Sequence, residues 1–234
     1  MDLERNLASL HQRIAAACDR AGRDPASVTL MAVTKAQPPE RVAEAARLGL
    51  LVFGENKVQE AKAKIPLCPG RLQWHMIGHL QTNKCRDAVE LFDMIHSVDS
   101  LHLAEEIDKR AEQSAKTMPV LLEINSAGEA SKFGYRPPLL LSELPRLRAL
   151  RRLEIRGLMT VPPWTKEAET VRPQFRELRA LKEQCEQILQ WDLPCLSMGM
   201  TNDFEVAIEE GATLIRIGTA LFGPRQKPPV SSSV

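Results

Sequence analysis

The sequence of 234 residues predicts an α/β protein that folds as a single (β/α)8 barrel, the TIM-barrel architecture, with an extra N-terminal helix. Three observations support this prediction. Short apolar runs alternate with amphipathic segments, a pattern typical of parallel strands joined by crossover helices. There are eight such runs, and the chain is close to the roughly 250 residues that this barrel usually contains.

The first segment predicts the extra helix. Apolar side chains recur there at three- and four-residue spacing, with Asp2 as the N-cap and Gly22 as the stop. The recurring side chains are those of Leu3, Leu7, Leu10, Ile14 and Cys18. The barrel itself is therefore expected to begin after this helix.

Eight short apolar runs predict the strands of the barrel, and an amphipathic or polar segment follows each of them. The runs begin at Val28, Leu50, Leu72, Phe92, Pro119, Leu153, Leu193 and Thr213. If they pair in order as parallel strands, their C-terminal ends meet on one face of the barrel.

The helical segments between the runs have recognisable ends. Segment 38–49 opens with two prolines and closes on a glycine, and Ser100 is placed to cap the helix after the fourth run. Asn202 or Asp203 is expected to cap the helix before the last run, with Gly211 as its stop. One apolar face is predicted in the helix of segment 167–189, formed by Val171, Phe175, Leu178, Leu181, Cys185 and Ile188.

An open doubly wound sheet is the alternative fold. Such a sheet seldom needs eight strands, and no Gly-x-Gly-x-x-Gly pattern follows the first run to indicate a dinucleotide site. No linker or low-complexity segment divides the chain. We therefore expect one domain over residues 1–225 and a disordered tail over residues 226–234.

Charge and cysteine content argue against several functional classes. The formal net charge is +1, so the sequence shows no electrostatic signature of binding to nucleic acid or to an anionic membrane. No apolar stretch approaches the ~18 residues of a membrane span, and the N-terminus is charged where a signal peptide is apolar. The five cysteines form no Cys-x-x-Cys pair. A cytoplasmic protein with free thiols is expected.

Lys35 stands at the end of the first run, and the chemistry of such barrels lies at the C-terminal ends of the strands. An ammonium group among apolar walls is costly, so the neutral, nucleophilic amine becomes accessible, as an imine-forming lysine requires. The alternative is that Lys35 extends to solvent or pairs with a carboxylate such as Glu55 or Asp99.

The loops after the last two runs predict an anion site. Segment 197–202, SMGMTN, comes just before a helix N-terminus, where unpaired N–H groups favour an anion. Segment 216–219, RIGT, follows the last run and lies beside the first strand once the barrel closes. Barrels often bind phosphate between these two loops. The alternative is that both contain only turn glycines and helix caps.

Other polar residues at the strand ends are weaker candidates. His75 and His79 are four residues apart, but Gly78 breaks the helix that a zinc site of the metalloprotease type needs. Asp99 and Ser100 are expected to form a helix cap. Loops near the rim of the barrel are expected to contain Lys132, Tyr135 and Trp164.

Seven segments follow one another in this order: AVTK, FGENKVQEA, WHMIGHLQTNK, IHSVDS, EINSAGEASKFG, RGLMTVPP and SMGMTNDFEVAIEEGATLIRIGTALFG. Together they resemble the pyridoxal phosphate homeostasis protein family. The resemblance extends from Leu3 to about Gly223 and is most specific in FGEN, WHMIGHLQ and GATLIRIGTALFG. It implies a barrel of the alanine-racemase type, called fold type III, with pyridoxal 5'-phosphate as the cofactor.

The resemblance also implies roles for individual residues. Lys35 matches the family's Schiff-base lysine, which binds the cofactor covalently as an imine, and Asn56 matches a residue near the cofactor ring. Arg216 is expected to face the pyridine nitrogen and to keep it unprotonated, because two cations in contact are unfavourable. An unprotonated ring is a weaker electron sink. The phosphate-holding positions are matched by Ser197, Thr201, Gly218 and Thr219.

Thr201 departs from the commoner serine of the family but keeps a hydroxyl group, so phosphate binding is still expected. Three functions are open: a pyridoxal phosphate carrier without a dedicated reaction, a racemase of low activity, and a cofactor-free Schiff-base aldolase. Racemisation needs an acid/base group on each face of the substrate. In alanine racemases a tyrosine of a second domain supplies one, whereas this sequence has one tyrosine, Tyr135, and ends soon after the eighth run.

We therefore expect a monomeric carrier that takes part in intracellular vitamin B6 and amino-acid/keto-acid homeostasis. Its expected partners are pyridoxal phosphate and the apo-enzymes that depend on it, with neither nucleic acid nor membrane among them.

Overall fold

The computed structural model describes residues 2–126 and 132–224. Within them, eight parallel strands close into a barrel in sequence order, and the last strand pairs with the first. The strands are β1 Thr29–Val33, β2 Val52–Glu55, β3 Gln73–Met76, β4 Met94–Val98, β5 Met118–Ile124, β6 Leu153–Thr160, β7 Cys195–Ser197 and β8 Leu214–Ile217. The prediction of a (β/α)8 barrel is confirmed.

The described residues contain nine α-helices, and every one after the first follows a strand. They are α1 Leu3–Arg20, α2 Pro39–Arg47, α3 Val58–Lys64, α4 Cys85–Leu91, α5 Leu101–Gln113, α6 Pro137–Arg148, α7 Arg172–Leu189, α8 Phe204–Glu209 and α9 Thr219–Phe222. Their buried faces and the strands form one apolar core. No helix of this part of the chain is both long and apolar enough to cross a membrane.

Helix α1 is the predicted extra helix, and Asp2 is its N-cap. It packs across α8 and α9, the helices that follow β7 and β8. Arg13 pairs with Glu205 of α8 at 2.8 Å, and Nδ2 of Asn6 donates to the carbonyl of Leu221 at 2.9 Å. The extra helix therefore supports the two loops in which the sequence predicts an anion site.

Two details of the predicted helices need comment. Ser100 caps α5 by accepting a hydrogen bond from the amide of Leu103, as predicted. Asp203 directly precedes α8, as one of the two predicted caps, but its carboxylate accepts from the amide of Met200, at 2.6 Å, and not from a helix amide. That bond fixes the loop in front of α8 instead of the helix itself.

The predicted apolar face of α7 is wrong at one position. Ile188 is 40% exposed, whereas Leu189 is fully buried. Around the helix axis, Leu189 lies about 40° from the buried Cys185, whereas Ile188 lies about 60° from it on the other side. Leu189 therefore ends the buried face, and the helix stops there because Gln190 adopts a left-handed conformation, with φ of 62°.

The pairing register places polar residues inside the barrel. Paired residues of parallel strands point to the same side of the sheet. The inner side contains Met31, Gly54, His75, Glu123, Met159, Ser197 and Arg216. The tail predicted over residues 226–234 lies outside the described residues.

Candidate functional site

Lys35 lies in a turn directly after β1, at the C-terminal rim of the barrel. The amide of Thr34 donates to the carbonyl of Gly54 at 3.0 Å, and the amide of Gln37 donates to the carbonyl of Thr34 at 2.9 Å. Ala36 has φ of +60°, in the left-handed region that residues with a Cβ seldom adopt. Lys35 is therefore held on a short, hydrogen-bonded turn.

The two carboxylates considered as partners of Lys35 have other partners. Oε1 of Glu55 accepts from Nζ of Lys64 and from the hydroxyl of Thr34, both at 2.7 Å. Burial raises the pKa of Glu55, and the hydrogen bonds from Lys64 and Thr34 oppose that shift. Asp99 lies 3.2 Å from Nδ1 of His79.

Asn56 follows β2 at the same rim, and its side-chain oxygen is buried without a partner. Oδ1 makes no hydrogen bond to any of the described residues. Gly78 packs so closely against Asn56 that a Cβ at position 78 would lie 2.3 Å from the Asn56 carbonyl oxygen. Because an unpaired buried acceptor is costly, this oxygen suits a hydrogen-bond donor on a bound molecule.

Arg216 projects from β8 into the barrel and is 4% exposed. Nη1 donates to the carbonyl and hydroxyl oxygens of Ser197, both at 2.7 Å, and Nη2 donates to the carbonyl of Thr160 at 2.8 Å. Burial lowers the pKa of Arg216 to about 10, so the group remains a cation at neutral pH. The Ser197 hydroxyl, predicted to hold phosphate, is occupied here by Arg216, and its phosphate contact stays a prediction.

A chain of hydrogen bonds continues from Ser197 across the barrel. Nδ1 of His96 lies 3.1 Å from the Ser197 hydroxyl, and Nε2 of His96 lies 3.0 Å from Nδ1 of His75. Arg216 has only donors, so the Ser197 hydroxyl accepts from it. Both remaining contacts are satisfied when Ser197 donates to Nδ1 of His96 and Nε2 of His96 donates to His75.

The two histidines of this hydrogen-bond chain, His75 and His96, are neutral at physiological pH. Burial lowers the pKa of His75 to about 4. Burial, with smaller contributions from His75 and Arg216, holds the pKa of His96 well below its usual value. A neutral pair can extend the hydrogen-bond chain from Arg216 into the barrel without placing a second cation there.

Glu123 is a further ionisable group inside the mouth of the barrel. Its pKa is raised to about 7, mainly by burial and further by the negative charge of Asp99, while Arg216 opposes the shift. A carboxyl group that titrates near neutral pH beside a buried arginine can hold or release a proton there.

The loops after β7 and β8 meet at the rim. The hydroxyl of Thr201 accepts a hydrogen bond from the amide of Ala220 at 3.3 Å. Gly218 and Thr219 directly follow β8, and a Cβ on Gly218 would lie 3.6 Å from Val33 of β1. The structure therefore brings three of the predicted phosphate positions together, close to the strand that leads to Lys35.

The weaker candidates have structural partners. His75 bonds to His96 and not to His79, whose ring stacks on Phe133 with 3.5 Å between centroids. No group of three potential metal ligands occurs in the described ranges. Asn125 donates to the carbonyl of Lys132 at 3.1 Å, and Trp164 is 71% exposed.

Tyr135 is buried beside the end of β5, where its amide donates to the carbonyl of Glu123 at 2.7 Å. It is 1% exposed and belongs to the apolar core. Burial raises its pKa, followed by the carboxylate of Glu143 on α6. The side chain is therefore enclosed by the core and is not accessible from solvent at the mouth.

Comparison with known proteins identifies the family. The chain matches the family model described as alanine racemase, N-terminal domain, over residues 6–226. A pyridoxal phosphate homeostasis protein of Aquifex aeolicus is 44% identical over 221 residues, covering 94% of this chain and 97% of the relative. One from Pseudomonas aeruginosa is 43% identical over 221 residues, covering 94% of each. This chain belongs to the pyridoxal phosphate homeostasis protein family.

Solved structures support the fold of the family. PipY of Synechococcus elongatus has been solved without and with pyridoxal phosphate and is 40% identical to this chain. The match covers 95% of this chain and 100% of PipY. The TM-scores are 0.85 and 0.83 respectively. Alanine racemase of Clostridium difficile has a TM-score of 0.72 at 15% identity and is covered to 58% of its length, so the likeness shows the fold alone.

Three polar residues that sequence reasoning did not single out lie at or next to the candidate site. They are His96, Glu123 and Lys64. The first two interrupt the apolar strands β4 and β5, a signal that sequence analysis can use when the inward side of a strand is known. Lys64 gives no such signal, because a lysine on a helix is ordinarily exposed.

Proposed function

We propose that this protein binds pyridoxal 5'-phosphate at the rim of the barrel, as an imine with Lys35, and acts as a carrier in vitamin B6 and amino-acid/keto-acid homeostasis. The observation that carries the proposal is that Lys35, Asn56 and Arg216 lie on one rim with the two touching loops after β7 and β8. The names of the relatives and the cofactor bound to PipY support it.

The donors and acceptors at the rim fit this ligand. Oδ1 of Asn56 has no hydrogen-bond donor among the described residues, and the phenolic hydroxyl of the ligand would supply one. Thr201, Gly218 and Thr219 would hold the phosphate, with Ser197 either sharing it or binding Arg216 alone. The ligand supplies an aldehyde, and the amine of Lys35 would form a C=N bond with its carbon while the oxygen leaves as water.

Arg216 limits the chemistry available at such a site. A buried guanidinium that stays charged disfavours a second positive charge on a nitrogen in contact with it. A ring nitrogen facing Arg216 would therefore stay unprotonated, which makes the ring a weaker electron sink. This supports storage and delivery of the cofactor over a dedicated reaction.

A racemase of low activity is the second candidate. It would need an acid/base group opposite Lys35, and Tyr135 is enclosed in the apolar core. Glu123, with its pKa near 7, is the group inside the mouth that could serve instead. This geometry favours the carrier but leaves Glu123 as the residue to test.

The proposal includes a cytoplasmic monomer that passes the cofactor to apo-enzymes. All five cysteines are free, which supports a reducing compartment. The rim is solvent-accessible at Thr219 and Trp164, which supports entry and exit of a small ligand.

The test is a visible absorption spectrum of the protein incubated with pyridoxal phosphate, for wild type, Lys35→Ala and the control Lys109→Ala, an exposed lysine on α5. An imine band near about 420 nm in the wild type and control, absent from Lys35→Ala, is expected. D- and L-alanine are then added. Interconversion at roughly 1–1000 per second would make the protein a racemase, and absence of any band would overturn cofactor binding.

A further inference from the structure

The turn that carries Lys35 is fixed by a buried cluster of charges, formed by Lys64, Glu55 and Glu60. Lys64 is the last residue of α3, and its side chain is 6% exposed. Its ammonium donates to the carbonyl of Thr34 and to Oε1 of Glu55, both at 2.7 Å, and to Oε1 of Glu60 at 3.1 Å. The three donors of the ammonium thus have three acceptors.

The cluster holds the residue on each side of Lys35. Thr34 is held twice, because its carbonyl accepts from Lys64 and its hydroxyl donates to Glu55 at 2.7 Å. The amide of Ala36 donates to Oε1 of Glu60 at 2.5 Å. A single ammonium group therefore joins the two anchors of the turn.

Stability alone is a poor reason for this arrangement. Burying an ion pair costs so much desolvation that an apolar replacement is often as stable. The cluster even leaves Oε2 of Glu55 buried without a partner among the described residues. In addition, Ala36 is held in a left-handed conformation that is unfavourable for a residue with a Cβ. Strain of this kind is usual where a functional side chain must be oriented.

We propose that Lys64 is a positioning residue, which orients Lys35 toward its ligand by fixing the backbone of Thr34 and Ala36 through Glu55 and Glu60. The proposal rests on the proposed imine of Lys35 with pyridoxal phosphate. Lys64 itself does not touch the ligand; its effect passes through the turn.

The test compares Lys64→Met with Lys62→Met, two residues earlier on α3. Lys62 is 59% exposed and pairs with Asp87 at 3.0 Å, so the control removes a lysine and an ion pair without touching the turn. Two quantities are measured: the hydrogen-exchange rate of the Ala36 amide without ligand, and the dissociation constant of pyridoxal phosphate from the visible band. In Lys64→Met we expect both to rise about tenfold or more, and in Lys62→Met we expect neither to change.

A second variant covers the case in which Lys64→Met fails to fold. Glu60→Ala removes the acceptor of the Ala36 amide, and Glu60 is 30% exposed, so the core is not disturbed. We expect the same rises in exchange and in the dissociation constant, and we expect Lys64→Arg to recover part of the affinity. The proposal would be overturned if Glu60→Ala kept the wild-type exchange rate of the Ala36 amide and the wild-type dissociation constant. The same two results in a Lys64→Met variant that folds but is less stable would also overturn it.

The two measurements separate this proposal from the proposed function. If wild type forms no band with pyridoxal phosphate, the cofactor assignment fails, while the exchange of the Ala36 amide still shows whether the cluster fixes the turn. If wild type forms the band and the variants bind pyridoxal phosphate as tightly as wild type, the positioning role fails and the carrier function stands.

Discussion

The guanidinium of Arg216 donates to the Ser197 hydroxyl at 2.7 Å, and the same hydroxyl lies 3.1 Å from Nδ1 of His96. One buried oxygen therefore connects the cation at the mouth of the barrel to the neutral histidines below it. The orientation of Arg216 depends on this oxygen, which gives the first prediction.

Ser197→Ala should lower the free energy of unfolding by about 1–3 kcal/mol, because it leaves Arg216 one acceptor short and removes the hydroxyl that bonds to Nδ1 of His96. Denaturant unfolding at pH 7 measures the change. Ser142→Ala is the control, since its exposed hydroxyl donates to the Leu139 carbonyl, and it should stay within about 0.5 kcal/mol of wild type. Equal effects of the two substitutions would contradict the prediction.

His75→Asn should reduce the loss of stability in acid. The pKa of His75 is lowered to about 4 in the folded protein, from an ordinary 6.5, so its contribution is present above pH 6.5 and is lost as the pH falls toward 4. The contribution is at most about 3 kcal/mol. Asparagine keeps an acceptor for His96 but does not titrate.

Unfolding free energies between pH 7 and pH 4 test this prediction. The exposed His102→Asn is the matched control and should follow the wild-type curve. A His75→Asn curve parallel to that of wild type would show that His75 is not the titrating group.

Glu123→Gln should be more stable than wild type above neutral pH. The pKa of Glu123 is raised by burial to about 7, from an ordinary 4.5. Its stabilising contribution is therefore present below pH 4.5 and is lost as the pH rises through 7. Glutamine cannot ionise, so the variant should gain about 1–3 kcal/mol over wild type at pH 8 and almost nothing at pH 4.

Thermal or denaturant unfolding at the two pH values measures that gain, with the exposed Glu112→Gln on α5 as control. A gain that is the same at both pH values would indicate a packing effect and not a titration.

Asn56→Leu should change stability and binding in opposite directions. Removing a buried acceptor that has no partner among the described residues should raise the free energy of unfolding of the unliganded protein by about 1 kcal/mol. The same change should weaken pyridoxal phosphate about tenfold. The exposed Asn83→Leu serves as control, and a loss of stability together with full affinity in Asn56→Leu would show that Oδ1 has no role in the site.

The barrel could be predicted because eight apolar runs and their helices leave few ways to pair. The rim positions of Lys35 and Arg216 follow from the ends of the runs and from the family resemblance. The hydrogen-bond chain could not be predicted, because the sequence shows His75 four residues from His79 but not that it faces His96 on the next strand. Which side of a strand points inward depends on the register, and the register is fixed only when the barrel closes.

The role of Lys64 was hidden for a different reason. A lysine at the end of a short helix is usually exposed, and nothing in the sequence shows that the turn after β1 lies over it. The error at Ile188 has another origin, since the last turn of a helix can shift its buried face by one residue.

The close packing of Gly78 against Asn56 has a genetic consequence. Every missense change in a glycine codon adds a Cβ, and at this position that atom would meet the Asn56 carbonyl oxygen at 2.3 Å. A library randomised at codon 78 and selected for ligand binding should return glycine alone. Codon 70 should accept most residues, because a Cβ on Gly70 meets no atom within 4 Å. Gly70 and Gly78, which lie before and after β3, therefore differ in how many amino-acid substitutions natural variants can tolerate there.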